Sequence, residues 1–327
     1  MQSKRMDFRT EVRPVSGEEG LISHSSPVML VGSCFTDNIG GCMRDELFDV
    51  CVNPFGPIYN PASVLRAVET VVSRHHITEE ELFEHEGRLH SFLFHSRYSA
   101  PSRGEAMLKM NMSIERAYQT LHDSGILIIT LGTTRVFMRG EDSEVVANCH
   151  KLPAREFEER TLSLEECTDL LTRTVTTARQ LNPDVKVIFT VSPLRYLSHG
   201  AHANSISKAT LLMAIDRVIN TVPDTRYFHA YEIMMDDLRD YRFYAEDMKH
   251  PTPQAVKYIY ENFSASYYSP STRLLADDAR RFTRRLAHRP LGQTVTDDSL
   301  NQPINDFKKV HPVLAPVIDR YISDGIQ

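Results

Sequence analysis

Cysteine is scarce and shows no pairing pattern. The 327-residue chain has five, Cys34, Cys42, Cys51, Cys149 and Cys167, and no two are spaced C-x-x-C. An odd number with no close spacing argues against a disulfide framework and against a zinc site, and it fits a reducing compartment. Long apolar runs are missing too. No stretch reaches the ~18 apolar residues that a membrane-spanning helix needs. The opening residues, MQSKRMDFRTEVRPV, lack the apolar centre of a secretory signal, so the expected location is the cytoplasm. There is no basic surplus, with 37 Lys and Arg against 43 Asp and Glu and a net charge of −6. Neutralising phosphates takes clustered cations, so nucleic acid is not an expected partner. Tryptophan is absent, which excludes nothing. Internal repeats and low-complexity tracts are not found.

The 41% of apolar residues is enough for a full core. Five apolar runs, at 28–31, 49–52, 126–131, 185–191 and 227–230, read as strands. Most are continuous rather than alternating, as in a parallel sheet covered on both faces. Helical spacing recurs between them, at 62–74, 103–123, 163–181 and 208–221. Strands alternating with helices imply right-handed βαβ units. The expected fold is α/β: a three-layer α/β/α domain with a mostly parallel five-stranded sheet over residues 1–265 and a C-terminal helical or irregular extension over 266–327. Residues 77–102 read as an insertion with a small hairpin. Residues 135–147 read as a second hairpin, turning at Gly-Glu-Asp-Ser. After the helical stretch near 270–290, the last thirty or so residues look irregular up to a short amphipathic piece at 313–321.

In such sheets ligands bind beyond the carboxyl ends of the strands. The stretch VMLVGSCFTDNIGG, residues 28–41, puts two nucleophile types, Ser33 and Cys34, at one such end. Far along the chain, YAEDMKHPTPQAV puts Asp247 and His250 on a loop. Pro251 keeps His250 out of helical geometry, and Thr252 and Pro253 open the next helix. An acid and an imidazole three residues apart converge if the loop curves, and such a pair takes a proton from a hydroxyl or thiol. Read separately, each fragment is also an ordinary turn or helix cap. Asn53 and Asn60 read as braces of the Gly56 loop or as turn residues. His95 and His150 have chemistry suited to substrate contacts. Arg195 and Lys208 suit a cationic rim or structural ion pairs. The five-residue spacing of His85, His90 and His95 fits neither a helix face nor a strand face, so no metal site is expected.

Several blocks together resemble one family. They are GSCF (32–35, followed by Thr36 where the family's name has Ala), NPFGPIYNP (53–61), TLGT (130–133), NCHK (148–151), FTVSPLR (189–195), NSISKATL (204–211) and DLRDYRFYAEDMKHP (237–251). This set resembles the GSCFA domain family, related to the SGNH (GDSL-like) hydrolases, which act mainly on esters. The resemblance implies Ser33 as nucleophile, His250 as base and Asp247 as its partner, with no cofactor. It also implies an oxyanion site from the backbone amides of Ser33 and Gly56. The Asn of the wider pattern's third block is Thr134 here, with Asn148 as the alternative donor. The implied substrate is a small-molecule or glycan ester, cleaved by water or passed to an acceptor hydroxyl. A binding protein that keeps the fold without turnover, and a thiol enzyme built on Cys34, are the competing readings. The sequence says nothing of oligomeric state.

Overall fold

The computed structural model describes residues 10–140, 144–287 and 298–323. Its strands are β1 (Val28–Gly32), β2 (Val50–Val52), β3 (Phe83–His85), β4 (Arg88–His90), β5 (Ile126–Leu131), β6 (Arg135–Arg139), β7 (Glu144–Val146), β8 (Glu158–Thr161), β9 (Lys186–Val191) and β10 (Thr225–Phe228). Its helices are α1 (Cys34–Asp45), α2 (Pro61–Val72), α3 (Arg103–Asp123), α4 (Leu164–Leu181), α5 (Gly200–Thr221), α6 (Ala230–Glu232), α7 (Pro253–Tyr267), α8 (Pro270–Ala287), α9 (Asp298–Val310) and α10 (Ala315–Ser323).

Five strands form the central sheet in the order β10-β9-β5-β1-β2, and every pair is parallel. All five residues of β1 are buried, because helices cover both faces. Side chains alternate between the two cores. Met29 and Val31 join Leu127, Ile129, Val187 and Phe189 under α2, α3, α4 and α5. Val28 and Leu30 join Ile126, Ile128 and Ile188 against Phe35, Ile39 and Met43 of α1 and Ile259 and Phe263 of α7. The three-layer α/β/α arrangement follows directly. β1 pairs with β2 on one side and β5 on the other, so the strand order reverses at β1. A crevice opens at such a switch point, outside the carboxyl ends of the two strands.

The C-terminal helices form a third apolar cluster, in which Phe282, Leu286, Ile304, Leu314 and Ile318 surround Leu47. Arg280 reaches the buried Glu46, whose other oxygen accepts from Tyr260 Oη at 2.6 Å, and this joins α1, α7 and α8. The expectation of an irregular stretch near the end is corrected: α9 continues through Pro303. Both expected hairpins form, as β3–β4 and β6–β7, and β8 adds a third strand to the second through pairing with β6. The last three residues of its expected turn, 141–143, lie outside the described residues. No helix among the described residues is long and apolar enough to cross a membrane.

A close backbone approach lies at Gly32. It pairs with Thr130 across the β1–β5 ladder at φ +150°, and a Cβ there would sit 2.2 Å from the Thr130 carbonyl oxygen. No side chain fits that space without parting the two central strands. Gly32→Ala is therefore expected to destabilise the fold by roughly 3 kcal/mol or more. Urea unfolding followed by circular dichroism measures this, and an unchanged midpoint would contradict the packing described.

Candidate functional site

The turn after β1 is held by a set of hydrogen bonds. The Gly32 amide donates to Asn53 Oδ1 at 2.8 Å, and its carbonyl accepts from Ile58 at 2.9 Å. The Ser33 amide donates to the Thr130 carbonyl at 3.1 Å. Ser33 is the N-cap of α1, and its Oγ accepts from the Phe35 amide. A helix needs such an acceptor at this position, and serine suits it well. The residue is 0% exposed. This corrects the expectation for Ser33: its hydroxyl is enclosed and caps the helix, and its amide is already committed to Thr130. The next residue, Cys34, is only half-buried, and its Sγ lies 3.0 Å from Tyr59 Oη. As the first helical residue its amide has no intrahelical acceptor, and no other acceptor takes it among the described residues.

Asn53, buried with φ +46°, binds the Gly32 amide and donates to Asp37 Oδ1 at 2.9 Å. It braces the turn and is not a substrate contact. Gly56 adopts φ +84°, and a Cβ there would lie 2.1 Å from His95 Cβ. Its amide donates to the Asn53 carbonyl at 2.8 Å, so the expected oxyanion role of this amide is corrected as well. Half-buried His95 packs on Gly56. Burial first, then Arg97, lower its pKa, against a smaller opposing effect from Asp37.

Asp247 and His250 converge as the spacing predicts. Asp247 Oδ1 accepts from the Lys249 and His250 amides at 2.9 and 3.0 Å, and Oδ2 meets His250 Nδ1 at 2.5 Å. The His250 amide and ring, then the Lys249 amide, hold the Asp247 carboxyl far below the usual carboxylate range. The loop closes on itself where Ala245 N–H donates to the His250 carbonyl at 2.8 Å, and Thr252 caps α7. Both side chains stay exposed, at 46% for His250 and 44% for Asp247, and no group among the described residues occupies His250 Nε2. The segment after β9 is tied to this loop, where the Arg195 amide donates to the Lys249 carbonyl at 3.1 Å. No hydrogen bond joins His250 to Ser33 or Cys34 in this structure.

Other candidates lie elsewhere. Thr134 is fully buried, and its amide and hydroxyl both bind Ser207 Oγ, at 2.8 and 3.1 Å, so it is no oxyanion donor. Asn148 Oδ1 accepts from the His150 amide at 2.8 Å, and the Asn148 amide donates to the Phe92 carbonyl at 3.2 Å. Lys208 is 1% exposed, with Nζ donating to the Ser192 carbonyl at 2.7 Å. Burial pulls its amine down to about 7, and it forms no rim. The Arg195 guanidinium lies over the Tyr244 ring. His150 is also buried, with Nε2 at 2.8 Å from the Ser91 carbonyl and Nδ1 at 3.1 Å from Ser96 Oγ, which corrects its expected place as a substrate contact.

The model of the GSCFA family matches residues 27–263. The chain belongs to the GSCFA family. Its β1 turn, Asp-x-x-His loop and central sheet all fall inside the match, while α9 and α10 fall outside it. A comparison with curated proteins returned no match. Solved structures similar to this GSCFA protein include a mutant acetyl esterase with an acetate ion, at 11% identity and TM-score 0.37, covering 77% of this chain and 99% of that one. A carbohydrate esterase family 3 structure from Talaromyces cellulolyticus gives 11%, 0.35, 77% and 99% in the same order. An acetyl xylan esterase from the rumen bacterium Butyrivibrio proteoclasticus gives 9%, 0.33, 75% and 64%.

The sequence reading of this GSCFA chain missed Tyr59, which touches the Cys34 sulfur and whose carbonyl accepts the Gly132 and Thr133 amides at 2.8 and 3.1 Å. Its place in the loop between β2 and α2, at the carboxyl end of β2, was the available signal. The histidines set a pH limit on the fold. Burial, with smaller effects from His90, His95 and His85, lowers His150 from 6.5 to about 4. Between those values the unfolded chain binds the extra proton and the folded chain does not. Stability is therefore lost as pH falls through that window, by on the order of 3 kcal/mol from this residue. His150→Asn, which tolerates the φ of +50° there, is expected to shrink the difference between urea midpoints at neutral and acid pH. An equal difference in both proteins would count against this assignment.

Proposed function

We propose that this protein is a hydrolase of the esterase kind, moving an acyl group from an oxygen ester to water, with His250 as general base and Asp247 as its orienting carboxylate. One observation carries the reading: a fixed Asp–His pair with an open Nε2 on a loop at the carboxyl side of the sheet. The carboxylate binds Nδ1, which leaves Nε2 to accept a proton. The loop's own hydrogen bonds fix the pair without help from substrate, and such preorganisation lowers the cost of reaching the transition state. The resemblance of the sequence blocks to ester-cleaving SGNH hydrolases points the same way.

A cleft of about 290 Å³ beside this loop is lined by Arg195, Asn204, Tyr231, Asp240, Tyr241 and Tyr244, among others. Aromatic faces mixed with amide and charged groups suit a small polar ester, glycan esters included. One set of observations favours a second reading, a binding protein without turnover: Thr134 and the amides of Ser33 and Gly56 are all committed elsewhere.

Hydrolysis of p-nitrophenyl acetate and of acetylated sugars separates the two readings. Saturable turnover that falls about 10²–10⁴-fold in His250→Ala is the expected result. A folded wild-type protein that binds acetylated sugars and turns over no ester would establish the second reading instead.

A further inference from the structure

Resting on the hydrolase reading, we propose that the attacking atom is Sγ of Cys34, held by the Tyr59 hydroxyl, and that the acyl-enzyme is a thioester. Two nucleophilic side chains stand side by side at the end of β1, and the local backbone gives them opposite fates. Ser33, as N-cap, turns its hydroxyl back onto the helix and is wholly enclosed. Cys34 begins the helix one residue later, and its half-buried thiol lies on the side of Tyr59, outside both sheet cores.

Two features stand beside that sulfur, and a third fixes the loop that bears the base. The Tyr59 phenol is within hydrogen-bond distance, and burial raises its pKa far enough that it stays a neutral donor. Its backbone is pinned to the end of β5 through the Gly132 and Thr133 amides, which fixes the ring. The Cys34 amide has no acceptor among the described residues and stands at the positive end of a 12-residue helix. This donor is attached to the same residue as the attacking atom, so it suits an oxyanion that forms on a carbon bonded to Sγ. Finally, the segment that follows β9, the strand next to β5, is tied through the Arg195 amide to the loop that carries His250. The remaining thiols are poor alternatives. Cys51 and Cys167 are buried, and burial pushes Cys42, Cys51 and Cys149 up to about 11 and Cys167 up to about 12.

The chemistry balances with no further reagent. His250 Nε2 takes the thiol proton as sulfur bonds to the ester carbonyl carbon. The carbon–oxygen bond to the alcohol then breaks, and the alcohol leaves with that proton. Water gives a proton to the same nitrogen as its oxygen attacks the thioester carbon. The carbon–sulfur bond breaks, the acid departs, and the thiol regains the proton. Tyr59 acts through the sulfur and is a positioning residue. Catalytic pairs commonly stand apart in free enzymes and close on substrate, so the lack of a Cys34–His250 hydrogen bond is compatible with this scheme.

The test uses the full chain with p-nitrophenyl acetate and, separately, iodoacetamide. Acid quenching during turnover is expected to trap one acetyl group on the Cys34 peptide, removable by neutral hydroxylamine. Cys34→Ala should lose the adduct and about 10³-fold or more of the turnover. Ser33→Gly, a tolerated helix cap, should keep both. In the wild type, iodoacetamide should alkylate Cys34 at a rate that falls about tenfold in His250→Ala, a readout that needs no Cys34 variant to fold. Acetyl found on Ser33, or full turnover in Cys34→Ala, overturns the thiol assignment and leaves the hydrolase reading intact. No ester turnover with alkylation still dependent on His250 overturns the hydrolase reading and supports the thiol–imidazole pair. No turnover with alkylation indifferent to His250 overturns both.

Discussion

The contact between the Gly32 backbone and Thr130 governs the rest of the molecule. Two central parallel strands meet there with no room for a Cβ, and the chain leaves β1 straight into a helix. The same few atoms fix the neighbouring loops. Asn53 reaches the Gly32 amide, Ile58 reaches its carbonyl, and the Ser33 amide reaches across to Thr130. This turn stands at the point where the strand order reverses, the place where ligands bind in sheets of this kind.

The geometry assigns different work to adjacent residues. Ser33 satisfies the helix, and Cys34 is left half-buried beside the Tyr59 hydroxyl. The Asp247–His250 loop is closed by its own hydrogen bonds and depends on substrate for none of its shape. Under the proposed hydrolase reading, a preformed base loop and a rigid strand end would both be ordered before an ester arrives. The C-terminal helices meet the far end of α1 through Leu47, Glu46 and the Asp45 carbonyl, which accepts from Thr283 Oγ1, and they steady the helix whose first residue is Cys34.

Much of this is legible in the sequence. Four of the strands are readable because covered strands are continuous apolar runs, and the Asp-x-x-His loop because Pro251 and Thr252 mark a helix entrance; β10, a half-buried edge strand opening on Thr225 and Arg226, begins two residues before the expected run at 227–230. The shortfalls have specific causes. Composition does not say which of two neighbours at a turn points outward, although the demand of α1 for a capping hydroxyl assigns Ser33 inward. Whether the amides of Ser33 and Gly56 are free depends on acceptors at Thr130 and Asn53, which only the folded chain supplies. Lys208 shares a helix face with Leu211, Ile215 and Val218, so the helical period points to its burial while its charge points to a rim. The α9 helix is masked by Pro303, which an amphipathic face tolerates here.

The central claim is that residues more than two hundred positions apart, at 34 and 250, serve one reaction centre. The most direct measurement is the imidazole nitrogen spectrum of His250 before and after alkylation of Cys34 with iodoacetamide. The account predicts that Nδ1 keeps its proton, bound to Asp247, while the Nε2 resonance shifts on alkylation. An Nε2 signal unchanged by the modification would place the two groups in separate surroundings and contradict it.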